Sequence, residues 1–132
     1  MRLDHVGLAV RSVEASAKTF AAFSGARVVH REELPRERVR VAFLDAGGVL
    51  LELLEPTAED GPLARFLAAR GEGLHHLAFE VPDLARALAE ATSAGQRPID
   101  DRPRLGARGR LIAFLHPEAS HGVLVELVQR AS

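Results

Sequence analysis

The run Asp4-His5-Val6-Gly7-Leu8-Ala9-Val10 recurs, altered but recognisable, as His75-His76-Leu77-Ala78-Phe79-Glu80-Val81. Moving 37 residues on from His5 or from His76 reaches Ala42-Phe43-Leu44 in one half and Ala113-Phe114-Leu115 in the other. Each half then closes on an apolar run with one carboxylate, Val49-Leu50-Leu51-Glu52-Leu53 and Val123-Leu124-Val125-Glu126-Leu127. The second copy has three more residues before that run, and loops are where insertions are absorbed. Two copies of one module, each giving one histidine and one glutamate, predict a two-His, two-carboxylate metal site where the copies join.

Around these anchors, strand-like runs bounded by Gly, Pro and Asp fall at about 3–10, 26–33, 39–45 and 49–55. Their counterparts fall at about 74–81, 96–100, 110–115 and 122–129. Asp45-Ala46-Gly47-Gly48 reads as a hairpin turn. A helical period links Val13, Ala17, Phe20 and Ser24, with Ser12 as N-cap and Gly25 just past the end. Leu84, Leu88 and Ala91 repeat it, with Asp83 as cap and Gly95 as stop. Each copy therefore reads βαβββ. A third helix begins near Pro62 and shows Leu63, Phe66 and Leu67 on one face. The expectation is one α+β domain over residues 1–132, with module one at 1–58, a linker helix at 59–72 and module two at 73–132. Its eight strands would form a cupped mixed β-sheet that hides edges a four-stranded module leaves open.

A chain of 132 residues with 47% hydrophobic residues, 27% charged residues and a net charge of -1 has an ordinary globular composition. That balance gives no basic surface for nucleic acid, and no apolar run approaches the roughly 18 residues that span a bilayer. The absence of cysteine excludes disulfides and thiolate ligation. The first residues pass straight into a strand, so a cytoplasmic protein is expected. Lys18 is the single lysine, which reads as a compositional bias toward arginine.

Glu52 and Glu126 sit inside apolar strands, where an uncompensated carboxylate is costly. Alternation puts His5, Gly7 and Ala9 on one strand face, and His76, Ala78 and Glu80 on the matching one. His75 points the other way and reads as structural. Imidazole and carboxylate ligands without thiolate suit divalent Mn, Co, Ni, Fe or Zn. His30, His116 and His121 read as surface histidines. Arg102, Arg104, Arg108 and Arg110 flank Gly106 and Gly109 and read as a solvated loop able to grip an anionic group.

With those residues in view, the chain resembles the vicinal oxygen chelate (glyoxalase/bleomycin resistance) superfamily of paired βαβββ modules. Within it the chain is similar to the methylmalonyl-CoA epimerases over nearly its whole length. The resemblance is carried by Leu3-Asp4-His5-Val6-Gly7-Leu8-Ala9-Val10, Leu51-Glu52-Leu53-Leu54-Glu55-Pro56 and Gly71-Glu72-Gly73-Leu74-His75-His76-Leu77-Ala78-Phe79-Glu80-Val81. It continues through Ala113-Phe114-Leu115-His116-Pro117 and Gly122-Val123-Leu124-Val125-Glu126-Leu127.

The resemblance implies His5, Glu52, His76 and Glu126 as ligands of a divalent ion such as Co, Mn, Ni or Zn. It implies Glu126 as a catalytic carboxylate, and an acyl-CoA substrate epimerised at C2 through an enolate. It further implies a homodimer working in propionate metabolism. Some family members carry a second catalytic glutamate where this chain has Val41; Glu52 is then the candidate for the return proton. Glu118 and His121 stand where lysine and glycine are expected, and Gly61 stands where serine is usual. Rival readings on the same fold are a glyoxalase I-type lactoylglutathione lyase, a dioxygenase, and a non-enzymatic ligand-sequestering protein of the drug-resistance type.

Overall fold

The computed structural model describes residues 1–100 and 102–131; Asp101 and Ser132, both within the second expected module, lie outside the described residues. The strands are β1 (Arg2–Ala9), β2 (Arg27–Leu34), β3 (Val39–Asp45), β4 (Leu50–Pro56), β5 (Gly73–Val81), β6 (Arg104–Leu105), β7 (Leu111–Leu115) and β8 (Val125–Gln129). The helices are α1 (Val13–Ser24), α2 (Pro62–Arg70) and α3 (Leu84–Ser93). All eight strands join one sheet in the order β2-β3-β4-β1-β5-β8-β7-β6. It is mixed, as expected: β1 with β4 and β5 with β8 run parallel, whereas β2 with β3, β3 with β4, β6 with β7 and β7 with β8 run antiparallel. Two compact units emerge, His5–His75 and Met1–Asp4 with His76–Ser132.

In the first unit α1 forms where the sequence signals it. The Ser12 hydroxyl accepts the Ala15 amide N–H at 3.1 Å, and Gly25 closes the helix in the left-handed conformation at φ 75°, which glycine adopts without a Cβ clash. The Val13 amide donates to Glu55 of β4 at 2.8 Å. Val13 and Ala17 pack with Val10, Ala26, Ala42, Leu44 and Leu53 into a core between α1 and the sheet. Strand alternation then sends His5, Phe43 and Glu52 to the opposite face.

The second unit repeats the plan. The Asp83 carboxylate accepts the Arg86 amide at 3.1 Å, and the Leu84 amide donates to Gln129 of β8 at 3.0 Å. Val81, Leu84, Ala113, Leu115 and Leu127 form the core under α3. A smaller cluster of Ala78, Ile112 and Val128, backed by Phe114, lies on the other face of the sheet.

The structure departs from expectation at one strand. Residues 96–100 make only an isolated bridge, Pro98 to Leu115, because proline has no N–H to extend a ladder. The outer strand of this half is instead the two-residue β6, where Arg104 pairs with Ile112 and Leu105 with Leu111. Gly106 permits that turn. A Cβ there would come within 2.7 Å of the Ile112 side chain. Strand β8 starts at Val125, three residues later than expected, after a 3₁₀ turn at Pro117–Ser120 and a left-handed His121 at φ 58°. A glycine at position 121 would meet no strain there.

Candidate metal and acid-base centre

In the first unit, His5 and Glu52 are brought together by neighbouring parallel strands, in a register that pairs Gly7 with Glu52. Both side chains are buried, and His5 Nε2 lies 3.2 Å from Glu52 Oε1. The His5 ring meets the edge of Phe43, with centroids 5.4 Å apart and planes at 89°, and Phe43 is the cross-strand partner of Glu52.

The second unit holds the same arrangement. His76 Nε2 lies 2.9 Å from Glu126 Oε1, both buried. Ala78 pairs with Glu126, and Phe114 is the cross-strand partner of Glu126. The His76 ring sits edge-on to Phe114, at 5.6 Å and 84°.

One ligand atom from each of His5, Glu52, His76 and Glu126 falls within 4.8 Å of those of the other three, and all four residues are buried. The donor set suits a divalent cation. Two carboxylates beside two imidazoles acting as neutral ligands leave a charge that an ion of two positive charges would cancel, and burying such charge unbalanced is costly. With no cysteine in the chain, the donors are all nitrogen and oxygen, compatible with Co, Mn, Ni or Zn.

His75 is not among them. Its ring packs edge-on against Phe66 of α2 at 4.8 Å, on the face that alternation assigned to it.

Other residues fall differently from the sequence reading. Arg108 and Arg110 are not solvated: their side chains are 16% and 19% exposed, and both face the buried carboxylate of Asp4. Arg110 Nη1 also donates to Glu80 at 3.1 Å. Arg104 lies over the Phe114 ring at 5.7 Å and 3.7 Å from Asp100. The loop is therefore tied to its own unit by ion pairs. Glu118 pairs with Arg97 at 2.9 Å, so the carboxylate at that position has a local partner. His121 is exposed, whereas His116 is half-buried and its Nδ1 accepts the Glu118 amide.

His30, with 38% of its side chain exposed against 37% for His116, has partners that the sequence does not signal. It is half-buried, its ring lies 6.0 Å from Phe43, and its Nε2 is 2.9 Å from Glu32 Oε1. Glu32 escaped the sequence reading because a β-bulge interrupts strand alternation. Val28 pairs with Leu44, the next pair is His30 with Phe43, and the register shifts between them. Val28 consequently packs toward α1, whereas His30 and Glu32 turn to the face that carries Phe43. Bulges re-aim side chains in this way, and composition gives no sign of them.

Comparison with known proteins agrees with this geometry. The family model described as the glyoxalase/bleomycin resistance protein/dioxygenase superfamily matches residues 4–114. A Bacillus subtilis protein described as uncharacterized, YqjC, is 41% identical over 97% of this chain and 91% of its own length. The ethylmalonyl-CoA/methylmalonyl-CoA epimerase of Cereibacter sphaeroides is 38% identical over 97% of both chains. Among solved structures, a Streptomyces coelicolor methylmalonyl-CoA epimerase variant in complex with 2-nitronate-propionyl-CoA superposes with a TM-score of 0.93 at 40% identity, covering 100% of this chain and 99% of that one.

Proposed function

This chain belongs to the glyoxalase/bleomycin resistance protein/dioxygenase superfamily, and from that premise we propose that it interconverts (R)- and (S)-methylmalonyl-CoA by moving the proton at C2. The reading is carried by one observation: each half contributes a buried histidine–glutamate pair, His5 with Glu52 and His76 with Glu126. Identity to epimerases along nearly the whole chain favours this reaction over the hemithioacetal isomerisation that similar ligands would serve.

His5, Glu52, His76 and Glu126 would hold the divalent ion. When bound, such an ion supplies Lewis-acid stabilisation of the negative charge that builds on the substrate oxygens during deprotonation. Glu126 is the base: its carboxylate takes the C2 proton, and the electron pair left behind delocalises into the thioester carbonyl. His76 Nε2, 2.9 Å from the Glu126 carboxylate, fixes where that carboxylate sits. The apolar cluster of Ala78, Ile112 and Val128 with Phe114 lies on the same strand face as Glu126.

Two measurements on the purified protein test the proposal. Elemental analysis after chelator-free purification is expected to find close to one divalent metal per chain. Proton NMR of methylmalonyl-CoA in deuterated water is expected to show the C2 proton washing out as the epimers interconvert. Protein that leaves C2 untouched yet isomerises a glutathione hemithioacetal would transfer the chain to the lyase reaction.

A further inference from the structure

Sliding the chain by the 71 residues that separate His5 from His76 aligns α1 with α3, placing Val13 on Leu84, Ala17 on Leu88 and Phe20 on Ala91. In the first unit Phe20 packs against the core between α1 and the sheet, together with Leu8, Val28 and Leu51. In the second unit the counterparts of Leu8 and Leu51 are Phe79 and Val125, and both still pack against the core under α3. The counterpart of Phe20 is only the methyl group of Ala91, and that of Val28 is the exposed Ile99. Ile99 lies in the segment that makes no more than an isolated bridge. Leu84, Leu88 and Phe79 are larger than Val13, Ala17 and Leu8, yet the missing ring and wall are not made up. A cavity of about 430 Å³ remains under α3, lined by Phe79, Ala87, Ala91, Leu115, Val125 and Leu127. Small-molecule sites span about 300–1,000 Å³.

We propose that this cavity is a binding site for small neutral ring compounds carrying one hydrogen-bonding group, with the ring of the ligand taking the place that Phe20 fills in the first unit. The walls and the polar lining choose that chemistry. Burial of carbon surface against the apolar walls supplies the affinity, and an apolar cavity is a natural host for an aromatic guest. The polar lining consists of Glu90, Gln96 and Ser120. Ser120 Oγ donates to Gln96 Oε1 at 3.2 Å, and Gln96 Nε2 donates to the Ala119 carbonyl at 3.1 Å. An amide oxygen and a hydroxyl oxygen each accept two hydrogen bonds, so this pair can also take a hydrogen from a ligand hydroxyl. Glu90 is a carboxylate already paired with Arg86 at 3.0 Å. A second negative charge beside it would be repelled, which selects neutral ligands over acids.

The site lies across the sheet from the metal ligands of its own unit. Phe79, Val125 and Leu127 alternate with Ala78 and Glu126 along β5 and β8, so the two sets face opposite sides. The assignment therefore stands apart from the epimerase reading.

The test uses 2-naphthol at pH 7 and the full chain. With no tryptophan or tyrosine in the protein, the emission of the ligand reports binding without a protein background, and methyl NMR locates it. Wild-type protein is expected to bind 2-naphthol with shifts at the methyls of Ala91, Val125 and Leu127. The methyls of Leu51 and Leu53, the first-unit counterparts of the last two, should stay in place. Ala91→Phe puts the ring of the first unit into the cavity and is expected to weaken binding at least about tenfold. 2-Naphthoate, the same rings with a carboxylate, is expected to bind at least about tenfold more weakly than 2-naphthol. Binding by Ala91→Phe within about 3-fold of wild type would overturn the proposal. So would naphthoate that binds as well as naphthol, or wild-type protein that takes up no naphthol. Naphthol-induced shifts that spare Ala91, Val125 and Leu127 would overturn it as well, and that measurement on the wild type decides the matter even where Ala91→Phe does not fold.

Discussion

The two halves of this chain agree at the centre of the sheet and part company at its edges. Each presents a histidine, a glutamate and an edge-on phenylalanine in the same register, His5–Glu52–Phe43 and His76–Glu126–Phe114. Farther out, the first half has an eight-residue β2 carrying the His30–Glu32 dyad. The second half has a two-residue β6 and a loop of arginines, with Arg104 over Phe114 and Arg108 and Arg110 bound to Asp4. The two outer strands thus differ in length and in the side chains they carry. The duplicated module repeats its histidine–glutamate pair in both copies and differs in its outer strands.

The sharpest way to break this comparison is to remove the charge from each central glutamate in turn. Glu126→Gln is expected to cut epimer interconversion by about 10²–10⁴-fold, as loss of a positioned base does, with some bound metal retained by the other ligands. Glu52→Gln is expected to lower metal content first, so that its activity climbs as Co or Mn is titrated in. Metal titration rescuing both variants equally would show the two pairs to be interchangeable ligands and would remove the base assigned to Glu126.

A second test asks whether the matching phenylalanines do matching structural work. Phe43 is fully buried, whereas Phe114 is only partly so. Phe43→Ala should therefore cost about 3–5 kcal/mol, and Phe114→Ala less than the lower end of that range. Urea titration of both variants measures the difference. Equal losses would mean that burial on the second half is greater than the fold indicates.

How much of this was legible beforehand follows the same division. The central strands were legible because their apolar alternation and the histidine and glutamate spacing are written twice, so each copy corroborates the other. Ser12, Gly25 and Asp83 marked helix ends because caps use local chemistry that needs no tertiary partner. The edges were not legible. The bulge at Val29 changes which face His30 and Glu32 occupy without changing composition, and Pro98 limits the strand expected over 96–100 to an isolated bridge. Arg108 and Arg110 read as solvated because their partners, Asp4 and Glu80, are distant in sequence.

The finest comparison concerns the tethers that hold each helix to its sheet. Glu55 lies three residues after Glu52 and accepts the first amide of α1, from Val13, at 2.8 Å. Gln129 lies three residues after Glu126 and accepts the first amide of α3, from Leu84, at 3.0 Å. The bond is the same, but one acceptor is a carboxylate and the other a neutral amide. A charged acceptor strengthens a hydrogen bond and also meets the positive end of the helix dipole. Glu55→Ala is therefore expected to cost about 1.5–3 kcal/mol and Gln129→Ala about 0.5–1.5 kcal/mol. Glu55 also pairs with Arg40 at 2.8 Å, whose guanidinium Glu33 and Glu55 hold above its ordinary pKa. Its side chain is only 20% exposed, so about 1 M salt should narrow the gap between the two variants without closing it. Equal losses at low salt would show that the amide, not the charge, sets the strength of both tethers.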